Sequence, residues 1–138
     1  MSSDYSDVEQ SLKKFILVMN AWELRYYKEV REKGLVAVRE KMKEDLNEIF
    51  CSFCTKRDRK QGRQTSLLCC DPPEYSPSEI FISSTVSGKK ASISTQQTVG
   101  FKNKYRYTFK STDSRWLLDK KECLDDDDGN ERWRQVSI

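Results

Sequence analysis

The side chains that carry most enzyme chemistry are sparse in this sequence, and histidine is missing from it altogether. Imidazole is the group that accepts and returns a proton near neutral pH in Ser-His-Asp and Cys-His catalysis. Both mechanisms are therefore excluded, together with every zinc site that uses histidine. No residue pair has a spacing that demands an acid/base role, so we predict no catalytic residue and no enzymatic activity.

Four of the five cysteines form two close pairs, Cys51 with Cys54 and Cys69 with Cys70. Four thiolates can hold zinc tetrahedrally, but zinc ribbons present two CxxC turns. Here the first pair lies in a predicted helix, and the second is adjacent in a predicted strand, where successive side chains point to opposite faces. We interpret these cysteines as small apolar side chains and expect no metal and no cofactor.

Two charged clusters are candidates for binding. The consecutive residues Asp125, Asp126, Asp127 and Asp128 are predicted to form a turn, where like charges repel one another. This run is either a solvated hairpin tip or a patch that steers the protein toward a basic partner. The basic residues 56–63 fit a helix C-terminus electrostatically. They contain no interleaved aromatic side chains, so nucleic-acid binding is a minor alternative.

The first half of the chain has helical periodicity. Apolar residues recur at spacings of three and four through residues 8–22 and again through residues 38–53. A four-residue repeat carries the pattern on from Trp22 to Val30, and Gly34 follows as a C-cap. We therefore predict three helices, the last of which ends within the basic stretch.

After residue 62 the period changes to two, which is typical of strands. Strands are predicted at residues 65–70, 80–86, 90–97, 105–110, 116–123 and 131–138, with a hairpin turn at Ser87 and Gly88. Helices followed by a run of strands indicate an α+β fold, with three N-terminal helices packed on one face of an antiparallel sheet. We predict a single domain over residues 1–138, helical in residues 1–62 and a sheet in residues 65–138.

Alternation along the strands assigns side chains to the two faces of the sheet. Trp116 is predicted to face the core, and Asp119, three residues later, to face water. The candidates for partner contact on the outer face share a positive charge: Arg106, Lys110, Lys120 and Lys121.

Two neighbouring strands carry a resemblance to a known fold. Residues 105–110 read Tyr-Arg-Tyr-Thr-Phe-Lys, and after a short turn residues 115–122 read Arg-Trp-Leu-Leu-Asp-Lys-Lys-Glu. This pair resembles the long paired strands of the nuclear transport factor 2-like fold. Within that superfamily the chain looks most like the bacterial immunity proteins of polymorphic toxin systems. The resemblance implies a curved, cone-like sheet and a protein that neutralises a cognate toxin domain by steric occlusion.

The same fold also hosts isomerases, dehydratases and small-ligand carriers, which gives an alternative hypothesis. A spacious pocket with a carboxylate of raised pKa would favour that alternative, whereas a filled pocket would favour the binding protein. The candidates for lining the pocket share an aromatic ring: Trp22, Tyr26, Tyr105, Tyr107 and Trp116.

Composition bears on location and assembly. No apolar run reaches the roughly 18 residues that span a bilayer, and the N-terminal residues lack the basic and apolar regions of a signal peptide. We therefore expect a cytoplasmic protein with no membrane partner. The net charge of +3 is modest for a nucleic-acid binder. Sheet-face dimers occur in the superfamily, and Val136 and Ile138 could add apolar contact to a homodimer.

Overall fold

The computed structural model describes residues 2–56, 74–98, 102–113, 115–127, 129–136 and 138. In this part of the chain two helices precede five strands, which form one antiparallel sheet in the order β1-β2-β3-β4-β5. The α+β layout of the prediction is therefore present. The elements are α1 (Ser2–Lys33), α2 (Leu35–Phe53), β1 (Ile80–Ser87), β2 (Lys90–Gln96), β3 (Lys104–Thr112), β4 (Arg115–Asp127) and β5 (Asn130–Val136).

The prediction of three helices is wrong for the described residues, which contain two. The first two predicted helices are one continuous helix of 32 residues, because neither glycine nor proline interrupts the apolar stripe between Val8 and Val30. Gly34 separates the helices with a φ of 87°, and its N–H donates to the Val30 carbonyl at 2.8 Å. The second helix ends at Phe53, before the basic stretch begins.

Both helices cover one face of the sheet, which we call the inner face. The apolar stripe of α1 packs there against Ile93 and Phe109. Phe15 is the aromatic hub of this core, since its ring centroid lies 5.4, 5.8 and 6.4 Å from those of Tyr75, Phe53 and Phe50. No helix in the described residues is both long and apolar enough to cross a membrane.

A register shift between β3 and β4 changes which side chains face inward. Thr108 pairs with Lys120 and Phe109 pairs with Leu118, so Asp119 is left as an extra residue. Such a bulge reverses the alternation on one side of it. Lys121 consequently lies on the inner face and is 1% exposed, which corrects its predicted place on the outer face. Asp119 is also buried and accepts a hydrogen bond from Thr55 Oγ1 at 2.8 Å, so the prediction that it faces water is wrong.

The β4–β5 hairpin is longer than predicted. Asp125 pairs with Arg132 inside the ladder, and β4 continues to Asp127, so three of the four aspartates belong to the strand. The chain reverses at Gly129, whose φ of 80° favours glycine. The predicted turn, which starts at Asp125, therefore begins inside β4.

Several sequence features fall outside the described residues. They include the predicted strand at residues 65–70, with Cys69 and Cys70, most of the basic stretch, and Asp128. Of the other cysteine pair, Cys54 is buried, whereas Cys51 is exposed and does not fill the core.

Candidate functional site

The inner face carries a buried ammonium group. The Nζ of Lys121 lies 2.7 Å from Glu74 Oε2 and 4.1, 4.3 and 5.5 Å from the ring centroids of Tyr105, Tyr75 and Tyr107. A cation over aromatic faces is attracted by their quadrupoles. Burial raises the pKa of Tyr105 to about 12, so this phenol stays neutral at physiological pH. We call these five residues the lysine cage.

Helix α1 holds the segment that delivers Glu74 and Tyr75 to the cage. The buried carboxylate of Glu23 accepts hydrogen bonds from the backbone N–H of Glu74 at 2.8 Å and of Tyr75 at 3.2 Å. Asn20 Nδ2 donates to the carbonyl of Tyr75 at 2.8 Å. A buried carboxylate is stable when backbone donors satisfy it. Asn20 and Glu23, two polar residues beside the apolar stripe of α1, thus hold the backbone of Glu74 and Tyr75 and so position their side chains in the cage.

Ile138 closes the cage from the other side. The hydroxyl of Tyr75 donates to the carbonyl of Ile138 at 2.7 Å. Ile138 is buried, and Val136 packs against the core. Ile138 is therefore turned toward the protein itself, whereas Val136 is only partly buried, and the homodimer stays a prediction.

A second buried carboxylate, Glu79, lies beside the cage. Its Oε2 accepts hydrogen bonds from Thr95 Oγ1 at 2.5 Å and from the Tyr107 hydroxyl at 3.3 Å. Its Oε1 is buried and has no partner among the described residues. Burial raises the pKa of Glu79, and the hydrogen bond from Thr95 and the charge of Lys121 partly oppose that rise. The carboxylate that the pocket hypothesis requires is therefore present and lines a cavity of about 380 Å³ together with Leu17 and Phe81, but its unpaired oxygen is screened from solvent.

Substituting Glu79 with glutamine is expected to flatten the dependence of stability on pH. A carboxyl whose pKa is raised by folding binds its proton more tightly in the folded state, so stability falls as pH rises from the unfolded pKa through the folded pKa. Glu79→Gln removes this loss, and its stability relative to the wild type should increase from pH 4 to pH 8. Urea unfolding across that range measures it, with the exposed Glu48→Gln as control. Parallel profiles for Glu79→Gln and the wild type would contradict the assignment.

The five aromatic candidates for pocket lining do not meet in one cavity. Tyr105 and Tyr107 belong to the lysine cage, whereas Trp22 and Tyr26 line a groove between α1 and α2. Trp22 Nε1 donates there to the carbonyl of Met42 at 3.1 Å. Trp116 lies on β4 and packs, half-buried, against the core. The five aromatic residues are therefore divided among three places: the lysine cage, the groove between the helices, and the core beside β4.

Tyr26 joins the two helices through its hydroxyl, which donates to Asp45 Oδ2. This hydrogen bond is the largest cause of the lowered pKa of Asp45. Tyr26→Phe should therefore reduce the free energy of unfolding by about 1 kcal/mol at neutral pH. The loss should shrink as pH falls through the pKa of Asp45, since a lowered pKa stabilises only the ionised form. Thermal unfolding checks this, with Tyr27→Phe, on the same helix, as control. An equal loss in both variants would contradict it.

The outer face of the sheet is polar. A groove of about 340 Å³ runs across β1 to β4. Arg106 lies within it, with its Nε 3.0 Å from Glu122 Oε1 and its guanidinium carbon 4.5 Å from the ring centroid of Trp133. The hydrogen bond from Arg106 lowers the pKa of Glu122. The groove is lined by Ser83, Thr85, Lys90, Ser92, Ser94, Arg106, Thr108, Lys120 and Glu122.

Three of the four cations named as partner-contact candidates lie on this outer face: Arg106, Lys110 and Lys120. Lys110 Nζ is 3.5 Å from Asp119 Oδ2. In the aspartate run, Asp125 forms an exposed ion pair with Arg134 at 2.7 Å. The sequence reasoning missed Glu23, Glu74, Tyr75 and Glu79, because nothing in their local pattern separates them from surface residues.

Comparison with known proteins agrees with the resemblance of the β3–β4 strand pair. A family model described as NTF2 fold immunity protein matches residues 7–137. The chain is 47% identical over 120 residues to Immunity protein RhsIA of Dickeya dadantii (strain 3937), covering 87% of this chain and 89% of that relative. No solved structure gives a significant match. The chain therefore belongs to the family of NTF2 fold immunity proteins.

Proposed function

We propose that this protein binds a cognate toxin domain and neutralises it by steric occlusion, without chemistry of its own. Membership of the immunity protein family and the name of its relative support the toxin as partner. The cytoplasm of the cell that makes the toxin is the place where such protection is needed. The protein would act there by surface complementarity.

The lysine cage is the observation that carries this proposal over its alternative. A ligand carrier or an isomerase of this fold needs an open pocket with convergent polar groups. In this protein the side chain of Lys121 and three tyrosine rings meet on the inner face. Glu79, the carboxylate beside them, keeps its unpaired oxygen buried. The inner face is thus largely filled by the protein's own side chains, apolar ones together with the lysine cage, which favours the outer surfaces as the place of function.

Two surfaces are proposed to contact the toxin. One is the outer sheet face with Arg106, Lys110 and Lys120, and the other is the aspartate run of the β4–β5 hairpin. Charged surfaces of this kind raise association rates and select partners more than they add affinity.

Co-expression in a susceptible bacterium tests the proposed function. Cells that produce the toxin domain encoded beside this chain should stop growing, and growth should return when the immunity protein is expressed with it. An unrelated NTF2-like protein at the same level provides the control. Growth arrest that persists despite abundant folded immunity protein would overturn the proposal.

A further inference from the structure

The outer face concentrates positive charge without balancing it. Lys90, Arg106 and Lys120 line its groove together with one carboxylate, Glu122. Arg106 already pairs with that carboxylate. Among the described residues, Lys90 and Lys120 form no ion pair. The groove therefore holds three positive charges against the single negative charge of Glu122, whose pKa all three lower, and it keeps an excess of positive charge.

One lysine of the groove, Lys90, faces a second lysine across the ladder, which costs stability in the isolated protein. Lys90 on β2 lies directly opposite Lys110 on β3 in the ladder, and like charges at directly opposite positions destabilise a sheet. Both residues are exposed. Asp119 Oδ2, 3.5 Å from Lys110 Nζ, offsets the charge of Lys110, whereas Lys90 has no ion-pair partner among the described residues, so an acidic group of a partner would relieve the repulsion.

The remaining side chains of the groove are suited to hydrogen bonding. Five serine and threonine hydroxyls from β1, β2 and β3 line it, each able to donate and accept. Arg106 is held in place from two sides, by Glu122 and by the ring of Trp133. A guanidinium held in this way loses little freedom when it pairs with a carboxylate. The face thus offers preorganised donors to an acidic surface.

We propose that the outer face is the toxin-binding surface and that the toxin presents a carboxylate-rich patch to it. This inference rests on the proposed function and adds the interface and its chemistry. A second copy of the chain fits less well, because face-to-face contact would bring the lysines of both copies together. Nucleic acid also fits less well, since Arg106 covers the ring of Trp133, and stacking on exposed aromatics is what binds single strands.

Charge reversal at two positions tests the inference. The variant Lys90→Glu/Lys120→Glu should bind the toxin domain at least about 100-fold more weakly than the wild type, as opposed charges become like charges across the interface. The matched control Lys28→Glu/Lys43→Glu makes the same change in net charge at exposed positions on α1 and α2. Its affinity for the toxin domain should stay within about threefold of the wild-type affinity, because these charges lie away from the proposed interface and act on it only at long range.

The probe is the toxin domain separated from the co-expressed complex under denaturing conditions and then refolded. Thermal unfolding first establishes that each variant is folded. If the wild type binds and the outer-face variant binds equally well, or if the control loses as much affinity, the interface is wrong while the proposed function stands. If the wild type itself does not bind, the proposed function has failed. Binding of a labelled 12-nucleotide single strand that only the outer-face variant loses would instead assign the face to nucleic acid.

Discussion

Replacing Lys121 with alanine is expected to lower the free energy of unfolding by about 2–4 kcal/mol. Lys121 is 1% exposed, and the substitution removes the ion pair that its Nζ makes with Glu74 Oε2 at 2.7 Å. Removing one partner of a buried ion pair usually costs about 3–5 kcal/mol. We expect a smaller loss here, because Glu74 is one-third exposed and can recover some hydration. Loss of the aliphatic stem from among three tyrosine rings adds a packing cost. Urea unfolding at pH 7 measures the change.

Lys121→Met separates the charge from the packing. It keeps an unbranched stem of similar length, so it should cost less than alanine but still remove the ion pair with Glu74. Both variants should also steepen the fall of stability with rising pH, because the charge of Lys121 helps to lower the pKa of Glu79. A loss below about 0.5 kcal/mol for Lys121→Ala, the range of ordinary surface substitutions, would show that the cage does not exist as described.

Phe15→Ala should lower the free energy of unfolding by about 3–5 kcal/mol. Its ring is fully buried and meets the rings of Phe50 and Phe53 on α2 and of Tyr75 in the lysine cage. The resulting cavity would loosen Tyr75 and, through it, the lysine cage. Because natural domains have only about 5–15 kcal/mol of stability, the folded protein in cells should fall and toxin protection should weaken.

Leu17→Ala is the matched control for Phe15→Ala. Leu17 lies two residues further along α1 and is 54% exposed, so its truncation should change stability by at most about 0.5 kcal/mol. Thermal unfolding of both variants, with growth protection measured in parallel, makes the comparison. If the two substitutions destabilised the protein equally, the inner face of α1 would be wrongly assigned.

Periodicity predicted the type of each described helix and strand of this fold. The apolar stripes of α1 and α2 and the alternation of Tyr105 and Tyr107 follow directly from burial on one side of each element. The division of α1 into two helices was wrong, because a run of good helix formers gives no reason to break before Gly34. Local sequence therefore predicts whether a segment is a helix or a strand better than it predicts where one element ends and the next begins.

Beyond Leu118, the sequence alone does not reveal which side chains of β4 point to the inner face and which to the outer face. A bulge adds one residue to one strand and depends on how two strands match, so neither strand alone reveals it. That single residue turns Lys121 inward and buries Asp119. The lysine cage was missed for the same reason. It joins residues from the segment before β1, from β3 and from β4, and α1 holds that segment in place, so the cage forms only in the folded chain.

Titration of the purified toxin domain with this protein tests the central claim most directly. The toxin's activity should fall linearly and vanish at equimolar protein, with a stable complex recovered by size-exclusion chromatography, because each bound molecule occludes one toxin. Full inhibition at a small fraction of one equivalent would contradict steric occlusion, since only turnover could produce it. Undiminished toxin activity in the presence of excess folded protein would contradict neutralisation itself.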